Sequence, residues 1–409
     1  MLKRVFMTSA SLILLSAASA SAAGLTMLAS AGGSGNTFAA AAMDFTAATG
    51  IPVNVIQYPY ADVREKQLLE LVGQTGAFDV INLDGAIWMP EVGPFLDPID
   101  ETKTDTKHLI PSMLTSFHQD GNLVALPMRV GGWVVLYRKD LFDQAGLTPP
   151  KTWDEFEADA KALTKDGVYG FAPALKQGNY LVAQWAPFLF SFGGDILNKD
   201  NTTAAFNSPQ GIKATQFFVK LVKDGLVPPG AVNYEQSDII TAMSQGIAAM
   251  ALTYSPYYLN MNDPKTSKVA GKIDVSPFIP YDPASGMTAG KTLISGWGFG
   301  VAASSHNKED AHKFIDFVTS DAEQLKLAIQ NNNAPTASAV FQNPDYIKLF
   351  PASANVLQAM SAGQDRPVVD SWTKLEDILA RELSAAVTGS KSVEEALSAA
   401  EADVNAELQ

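Results

Sequence analysis

The first third of the chain alternates short apolar runs with longer stretches in which apolar residues recur every three to four positions. The short runs predict strands, and the longer stretches predict amphipathic helices. Strands are predicted at 25–29, 53–57 and 78–83, and helices at 37–48 and 63–72. This order of strand, helix, strand, helix, strand is typical of a mostly parallel sheet with helices on both faces.

The remainder of the chain has a mainly helical pattern. The helices predicted in the middle begin beside capping residues or prolines, which mark helix starts. Helices are predicted at 153–164, 183–192, 209–223, 234–245, 308–319, 322–331, 372–387 and 393–408, and strands at 247–253 and 296–303. No internal repeat or low-complexity linker interrupts the sequence. We therefore expect two α/β lobes rather than a string of independent units.

Residues 1–23 have the pattern of a secretory signal peptide. Lys3 and Arg4 form a positive start, residues 5–18 are apolar or small, and small-residue cleavage sites follow as far as Ala23. The apolar stretch is too short and too rich in Ser and Ala for a membrane anchor of about 20 residues. No second long apolar run follows, and no cysteine offers a site for lipid attachment. We expect export as a free, soluble periplasmic protein.

Composition narrows the possible function classes. The 409 residues include 43 acidic and 29 basic side chains, with a formal net charge of −14. A nucleic-acid-binding protein needs a basic surface, so no nucleic acid is expected as a partner. The absence of cysteine excludes disulfides, thiolate metal ligands and a cysteine nucleophile. No metal site is expected from the spacing of His108, His118, His306 and His312.

Motifs for enzyme chemistry are weak. The segment GMTAGKT at 286–292 resembles a phosphate-binding loop, but its glycines are one residue too close, and a strand-like segment follows instead of a helix. Gly33 and Gly35 suggest a dinucleotide turn, but Phe38 occupies the third glycine position. We expect no cofactor and no catalytic residue. The many carboxylates leave a glycosidase-type pair open.

Aromatic residues gather at positions expected to be loops or strand ends. Trp297 lies between two glycines, which suits projection from a strand end better than packing within a sheet. Tyr254 and Tyr257 follow another predicted strand, and Tyr180 and Trp185 flank a helix start. Core packing is the competing interpretation for each aromatic alone. Together they predict a cleft for a carbohydrate or polyol, because aromatic faces stack on the C–H faces of sugar rings.

With these residues in view, the sequence resembles the extracellular solute-binding proteins of carbohydrate ABC transporters, the maltose-binding-protein-like family. The most specific stretches are FDVINLD at 78–84, GNLVALP at 121–127, LYRKDLF at 136–142, PKTWDEF at 150–156, SGWG at 295–298 and APT at 334–336. Their order and spacing carry the resemblance, which extends over nearly the whole chain after residue 23.

The resemblance implies an α/β fold of the two-lobed periplasmic binding protein type. Each lobe would be a mostly parallel sheet flanked by helices, and three segments would cross between the lobes. The N-terminal lobe would comprise residues 24–128 and 290–319, and the C-terminal lobe residues 129–289 and 320–409. The crossings are expected near 128–134, within 275–290 and near 320–322.

The resemblance also implies a ligand site. Seven residues match ligand-contacting positions of the family: Ser34, Asn36, Asp84, Arg129, Tyr257, Trp297 and Arg366. Tyr180, Trp185 and Tyr254 complete the predicted ligand-binding set through their aromatic character. Asp84 and Arg129 are expected to bond hydroxyl groups, while Tyr257 and Trp297 stack on the ring. For Trp88, two roles remain open: stacking on a ligand and packing against its own helix.

The implied function is that of the periplasmic substrate-binding subunit of an ABC importer. Such a protein would bind a mono- or disaccharide, a polyol or a sugar derivative in the cleft and deliver it to transmembrane permease subunits. A monomer without enzymatic activity is expected. Three alternatives remain open: a secreted carbohydrate-active enzyme of the glycoside hydrolase type, a binding protein serving a chemoreceptor, and an anionic sugar held by Arg129 and Arg366.

Overall fold

The computed structural model describes residues 24–31 and 33–409, without the side chains of residues 33, 34, 60 and 61. The predicted signal peptide, residues 1–23, lies outside the described residues. The described strands are β1 (Leu25–Ser30), β2 (Val53–Tyr58), β3 (Val80–Asp84), β4 (His118–Gln119), β5 (Asn122–Leu123), β6 (Ala125–Arg138), β7 (Tyr169–Phe171), β8 (Ala248–Tyr254), β9 (Ile273–Val275), β10 (Thr292–Val301) and β11 (Gly363–Gln364).

Sixteen α-helices occur in the described ranges. They are α1 (Gly33–Thr49), α2 (Tyr60–Gly73), α3 (Gly85–Val92), α4 (Pro111–Leu114), α5 (Lys139–Ala145), α6 (Trp153–Leu163), α7 (Asn179–Ser191), α8 (Pro209–Lys223), α9 (Gln236–Ser244), α10 (Tyr257–Met261), α11 (Lys308–Thr319), α12 (Asp321–Asn331), α13 (Pro344–Leu349), α14 (Ser353–Ser361), α15 (Trp372–Thr388) and α16 (Val393–Glu407).

One large mixed sheet organises the fold. Its main path runs β2-β1-β3-β10-β6-β8-β7, with β11 paired to β10 and β9 paired to β6. The predicted parallel pairing is present at the two ends of this path, among β1, β2 and β3 and between β7 and β8. The central strands β3, β10, β6 and β8 pair antiparallel. The sheet is therefore parallel at its outer parts and antiparallel where the chain passes through its middle.

Local sequence signals set most helix boundaries. The hydroxyl of Thr152 accepts from the backbone N–H of Glu155 at the start of α6, and the Glu155 carboxylate accepts from the Thr152 N–H in return. This reciprocal capping box satisfies two of the free N–H groups at a helix start. Helix α7 begins at Asn179, earlier than the predicted residue 183, so Tyr180 lies in its first turn.

The described part of the chain forms three hydrophobic cores, and the two largest, which share no fully buried residue, lie on either side of the candidate site. The first contains Met128 of β6 and Phe299 of β10, and the second contains Val135 of β6 and Leu293 of β10. Each of these two long strands therefore runs from one core to the other. The face of the sheet between the cores is where the candidate site lies.

Candidate functional site

Three adjacent strands bring Asp84, Trp297 and Arg129 into one row. Trp297 lies opposite Asp84 in the pairing of β10 with β3, and opposite Arg129 in the pairing of β10 with β6. Side chains at paired positions of neighbouring strands project from the same face of a sheet. A carboxylate and a guanidinium therefore flank an indole ring, although the three residues are far apart in the chain.

A β-bulge lies next to Arg129. The register of β6 against β10 shifts between Pro127 and Arg129, so Met128 is the extra residue. The Met128 carbonyl accepts a hydrogen bond from Nε2 of Gln324 at 3.0 Å, and the Pro127 carbonyl accepts one from Oγ1 of Thr336 at 2.8 Å. Bulges re-aim side chains beside functional sites. Here the bulge and its two buried partners fix the backbone that presents Arg129.

Trp297 presents a half-buried ring that is supported from the side by Trp88. The ring centroids are 5.3 Å apart with an interplanar angle of 78°, an edge-to-face contact. Trp88 is only 1% exposed, which favours the packing role over stacking on a ligand. Trp297 lies inside β10 and not at a strand end as predicted. The glycine beside it leaves room for a neighbouring ring, because a Cβ at Gly298 would lie 2.4 Å from the Phe117 ring.

A second aromatic wall comes from the end of β8 and from α10. The rings of Tyr254 and Tyr257 have centroids 5.8 Å apart. Tyr254 covers Gly131 of β6 so closely that a Cβ there would lie 2.2 Å from the ring. The Tyr257 hydroxyl donates to Oε1 of Gln236 at 3.3 Å. Burial raises the pKa of Tyr254 to about 12 and also raises that of Tyr257, so both phenols stay neutral near pH 7.

These walls enclose a cavity of about 680 Å³. That volume lies within the range of roughly 300–1,000 Å³ found for small-molecule sites. Seven of the ten predicted ligand-binding residues line it: Asp84, Arg129, Tyr180, Tyr254, Tyr257, Trp297 and Arg366. Residues from both hydrophobic cores contribute to its walls, so one ligand in the cavity would contact both.

The other three predicted residues are placed differently. Trp185 is fully buried in the second core, where its Nε1 donates to Oγ1 of Thr215 at 2.8 Å and its ring contacts Phe206. It does not line the cavity, because the inward face of α7 carries it away from the cavity wall. Asn36 is exposed on α1 and also lies outside the lining. The side chain of Ser34 lies outside the described part of the structure.

The cavity also contains polar residues that sequence reasoning missed. They are Arg64, Asn179, Gln236, Ser295, Thr373 and Glu376. Oε1 of Glu376 lies 3.5 Å from Nε of Arg366 and accepts a hydrogen bond from Nδ2 of Asn179 at 2.7 Å. Arg64 pairs with Glu91. Two of them had a local signal, because Asn179 adjoins Tyr180 and Ser295 belongs to the SGWG stretch that contains Trp297. The local sequences of the other four do not distinguish them from surface polar residues.

The residues that the structure describes contain no group of three or more His, Asp or Glu side chains arranged to hold a metal ion. Within those same residues, no helix has both the length and the apolar character needed to span a bilayer.

Proteins of known sequence and structure resemble this chain over most of its length. A Sinorhizobium fredii protein named "Probable amino-acid ABC transporter periplasmic-binding protein" is 25% identical over 91% of this chain and 86% of its own. The mannitol-binding protein of Pseudomonas aeruginosa is 25% identical over 85% of this chain and 84% of its own. Both names describe binding proteins, but they differ in the class of ligand.

A solved structure supports the same relationship. The maltose-bound MalE3 of T. maritima superposes with a TM-score of 0.79 at 27% identity, covering 93% of this chain and 98% of that one. The predicted two-lobed α/β fold is thereby confirmed. The model of the family described as bacterial extracellular solute-binding protein matches residues 29–325. The predicted resemblance is confirmed, and the chain belongs to the bacterial extracellular solute-binding proteins.

Proposed function

We propose that this protein is the periplasmic substrate-binding subunit of an ABC importer and that it binds a mono- or disaccharide or a polyol in the cavity. The observation that carries the proposal is the row of Asp84, Trp297 and Arg129 on adjacent strands. A partly exposed indole flanked by an acceptor and a donor suits a ring or chain with C–H faces and hydroxyl edges. The maltose-bound and mannitol-binding relatives support this ligand class.

Each wall has a distinct part in this proposal. Trp297 and Tyr257 would stack on the ligand, while Asp84 would accept from its hydroxyls and Arg129 would donate to them. Tyr254, whose phenol is neutral near pH 7, has a proton to donate. A ligand that contacts both lobes binds the closed form better than the open form, so it shifts the hinge equilibrium towards closure.

The closed protein would then deliver the ligand to membrane permease subunits. The family description, extracellular solute-binding, supports a location outside the cytoplasm, which we propose is the periplasm. We also propose that the protein acts as a monomer. Service to a chemoreceptor is the alternative role for the same binding event, and growth of a deletion strain on the ligand as carbon source would separate the two roles.

Two other ligand or activity classes compete with this proposal. The amino-acid name of the Sinorhizobium fredii relative favours an amino-acid ligand. A glycoside hydrolase would need two free carboxyl groups across the ligand. The cavity-lining carboxylates described here are Asp84 and Glu376, and Glu376 is already engaged by Arg366 and Asn179. We therefore propose that the protein binds its ligand without turnover.

Isothermal titration with defined probes tests the proposal. Maltose, D-glucose, D-mannitol and ribitol would be compared with leucine, glutamate and glycine. We expect saturable one-to-one binding of at least one sugar or polyol, lost on Asp84→Asn and unaffected by Asp274→Asn, which changes an acidic residue of β9 outside the cavity lining. Binding of an amino acid but of no sugar or polyol would contradict the proposal. Release of glucose from maltose would also contradict it.

A further inference from the structure

Two arginines of the cavity pair with acidic residues, and the third has an acidic residue on the other side of Trp297 in the same row. Arg64 pairs with Glu91, Arg366 pairs with Glu376, and Arg129 shares its row with Asp84. Positive charge that is matched in this way is not available to a ligand carboxylate without competition. The cavity therefore has many hydrogen-bonding groups but little surplus charge of either sign.

Glu376 is held firmly in the cavity wall. It lies in the first turns of α15, and its side chain is only 12% exposed. Asn179, at the start of α7, donates to its Oε1 at 2.7 Å, so two helices fix the carboxylate. The side chain of Arg366 is 7% exposed, and its Nε makes no hydrogen bond within the part of the chain that the structure describes. The 3.5 Å contact is thus an ion pair rather than a hydrogen bond, and Arg366 also lines the cavity.

We propose that Glu376 is a specificity-determining residue that restricts the cavity to uncharged polyhydroxy ligands, an inference that rests on the proposed function. A hydroxyl group can accept from Arg366 and donate to Glu376 at the same time, so it satisfies both partners. A carboxylate ligand accepts only. It must compete with Glu376 for Arg366 and meets the negative charge of a side chain that is only 12% exposed, where like charges repel more strongly than in water.

Glu376 decides between the neutral and the anionic sugars, a choice that Arg129 and Arg366 leave open. With Arg129 and Arg366 alone, an acidic sugar would be the better match for the cavity. With Glu376 beside Arg366, and with the buried Asp365 carboxyl also near that charge, the guanidinium is a poor partner for a further anion but can orient hydroxyl groups. Glu376 is thus assigned to charge selection rather than to affinity for sugars in general.

Matched pairs of probes test this assignment by titration calorimetry at pH 7. The pairs are D-glucose with D-glucuronate and D-mannitol with D-mannonate. For the wild-type protein, we expect the neutral member of a pair to bind at least tenfold more tightly than its acid. In Glu376→Gln, the ratio should move towards the acid by tenfold or more, because the amide can still accept from Asn179 while Arg366 loses the counter-charge of Glu376. The double variant Glu376→Gln/Arg366→Gln should lose that gain.

The control variant is Glu157→Gln, which removes a similarly buried carboxylate that pairs with Lys161 and Lys220 outside the cavity lining. It should leave both dissociation constants within twofold of wild type. The inference is overturned if wild type binds the acid as tightly as the neutral probe, or if Glu376→Gln leaves the ratio unchanged. Should Glu376→Gln fail to fold, the wild-type ratio alone decides. Binding of leucine or glutamate, with no response to either member of any pair, would instead mean that the proposed function itself is wrong.

Discussion

At the scale of single residues, two tryptophans have contrasting surroundings. Trp297 is half-buried and lines the cavity, whereas Trp185 is fully buried in the second core. An aromatic residue near a helix start, such as Trp185, has the same local pattern whether it faces a core or a cleft. The orientation of α7 is set by its packing against α8 and α15, and the local sequence does not reveal this packing.

The contrast between two tryptophans gives a first prediction. Trp297→Ala should weaken binding of the sugar or polyol at least tenfold, since the stacking surface is lost, while the protein still folds. Trp185→Phe should leave the affinity unchanged but lower the free energy of unfolding by about 1–3 kcal/mol, because a core ring shrinks and the hydrogen bond to Thr215 disappears. Calorimetric titration and urea unfolding measure the two effects. Equal affinity of wild type and Trp297→Ala would remove Trp297 from the site.

Glu323 gives a prediction about pH. Burial is the main cause that raises the pKa of Glu323 from 4.5 to about 7. The nearby carboxylate of Asp44 raises it further, while the positive charge of Lys326 opposes the shift. Because the folded state holds this proton more tightly than the unfolded state, the stability from protonated Glu323 is complete below about pH 4.5 and is lost as the pH rises through 7. Glu323→Gln should remove that loss, which we expect to be about 1–2 kcal/mol.

Urea unfolding at pH 5 and pH 7.5 measures this effect as the difference between wild type and variant. Burial raises the pKa of Asp159 to about 6, so this residue also makes the free energy of unfolding depend on pH. Its contribution is the same in both proteins and cancels in the comparison. The matched control is Glu309→Gln, an exposed carboxylate on α11 that should keep the wild-type slope. A slope in Glu323→Gln equal to that of wild type would contradict the assignment.

At the scale of elements, helices were predicted better than long strands. Helices α8 and α11 occupy the predicted residues 209–223 and 308–319, because each combines a start signal with a regular apolar stripe. Strand β6 has no comparable pattern, since Pro127, Gly131 and Gly132 interrupt it as turn residues would. In the structure, Pro127 lies next to the bulge at Met128, and the Tyr254 ring packs over Gly131. The partners involved, β10 and Tyr254, are distant from β6 in the chain.

The bulge provides an element-scale prediction. Thr336→Val keeps the side-chain shape but leaves the buried carbonyl of Pro127 without its hydroxyl donor. We expect a loss of about 1–3 kcal/mol in the free energy of unfolding and a measurable loss of ligand affinity, because the backbone that presents Arg129 is loosened. Thr388→Val, a change at an exposed helical threonine, is the control and should stay within about 0.5 kcal/mol. Reduced stability with unchanged ligand affinity would mean that the bulge does not influence the ligand site.

At the scale of the whole molecule, the α/β class and the family could be predicted from the order of motifs, but the assembly of the site could not. Asp84, Arg129 and Trp297 meet only because β10 inserts between β3 and β6, a register that local patterns do not encode. Likewise, Glu376 and Asn179 become cavity residues only through the packing of α7 against α15. The lobe boundaries at 128 and 290 remain a prediction, with β6 and β10 as the strands that join the two cores.

The most direct test of the central claim is a melting-temperature screen of the protein against neutral sugars, polyols, sugar acids and amino acids. A ligand present at 100 times its dissociation constant stabilises the folded state by about 2.7 kcal/mol. We predict that at least one neutral sugar or polyol raises the melting temperature of wild type and has a much smaller effect on Trp297→Ala. A shift produced by amino acids and by no carbohydrate or polyol would contradict the account.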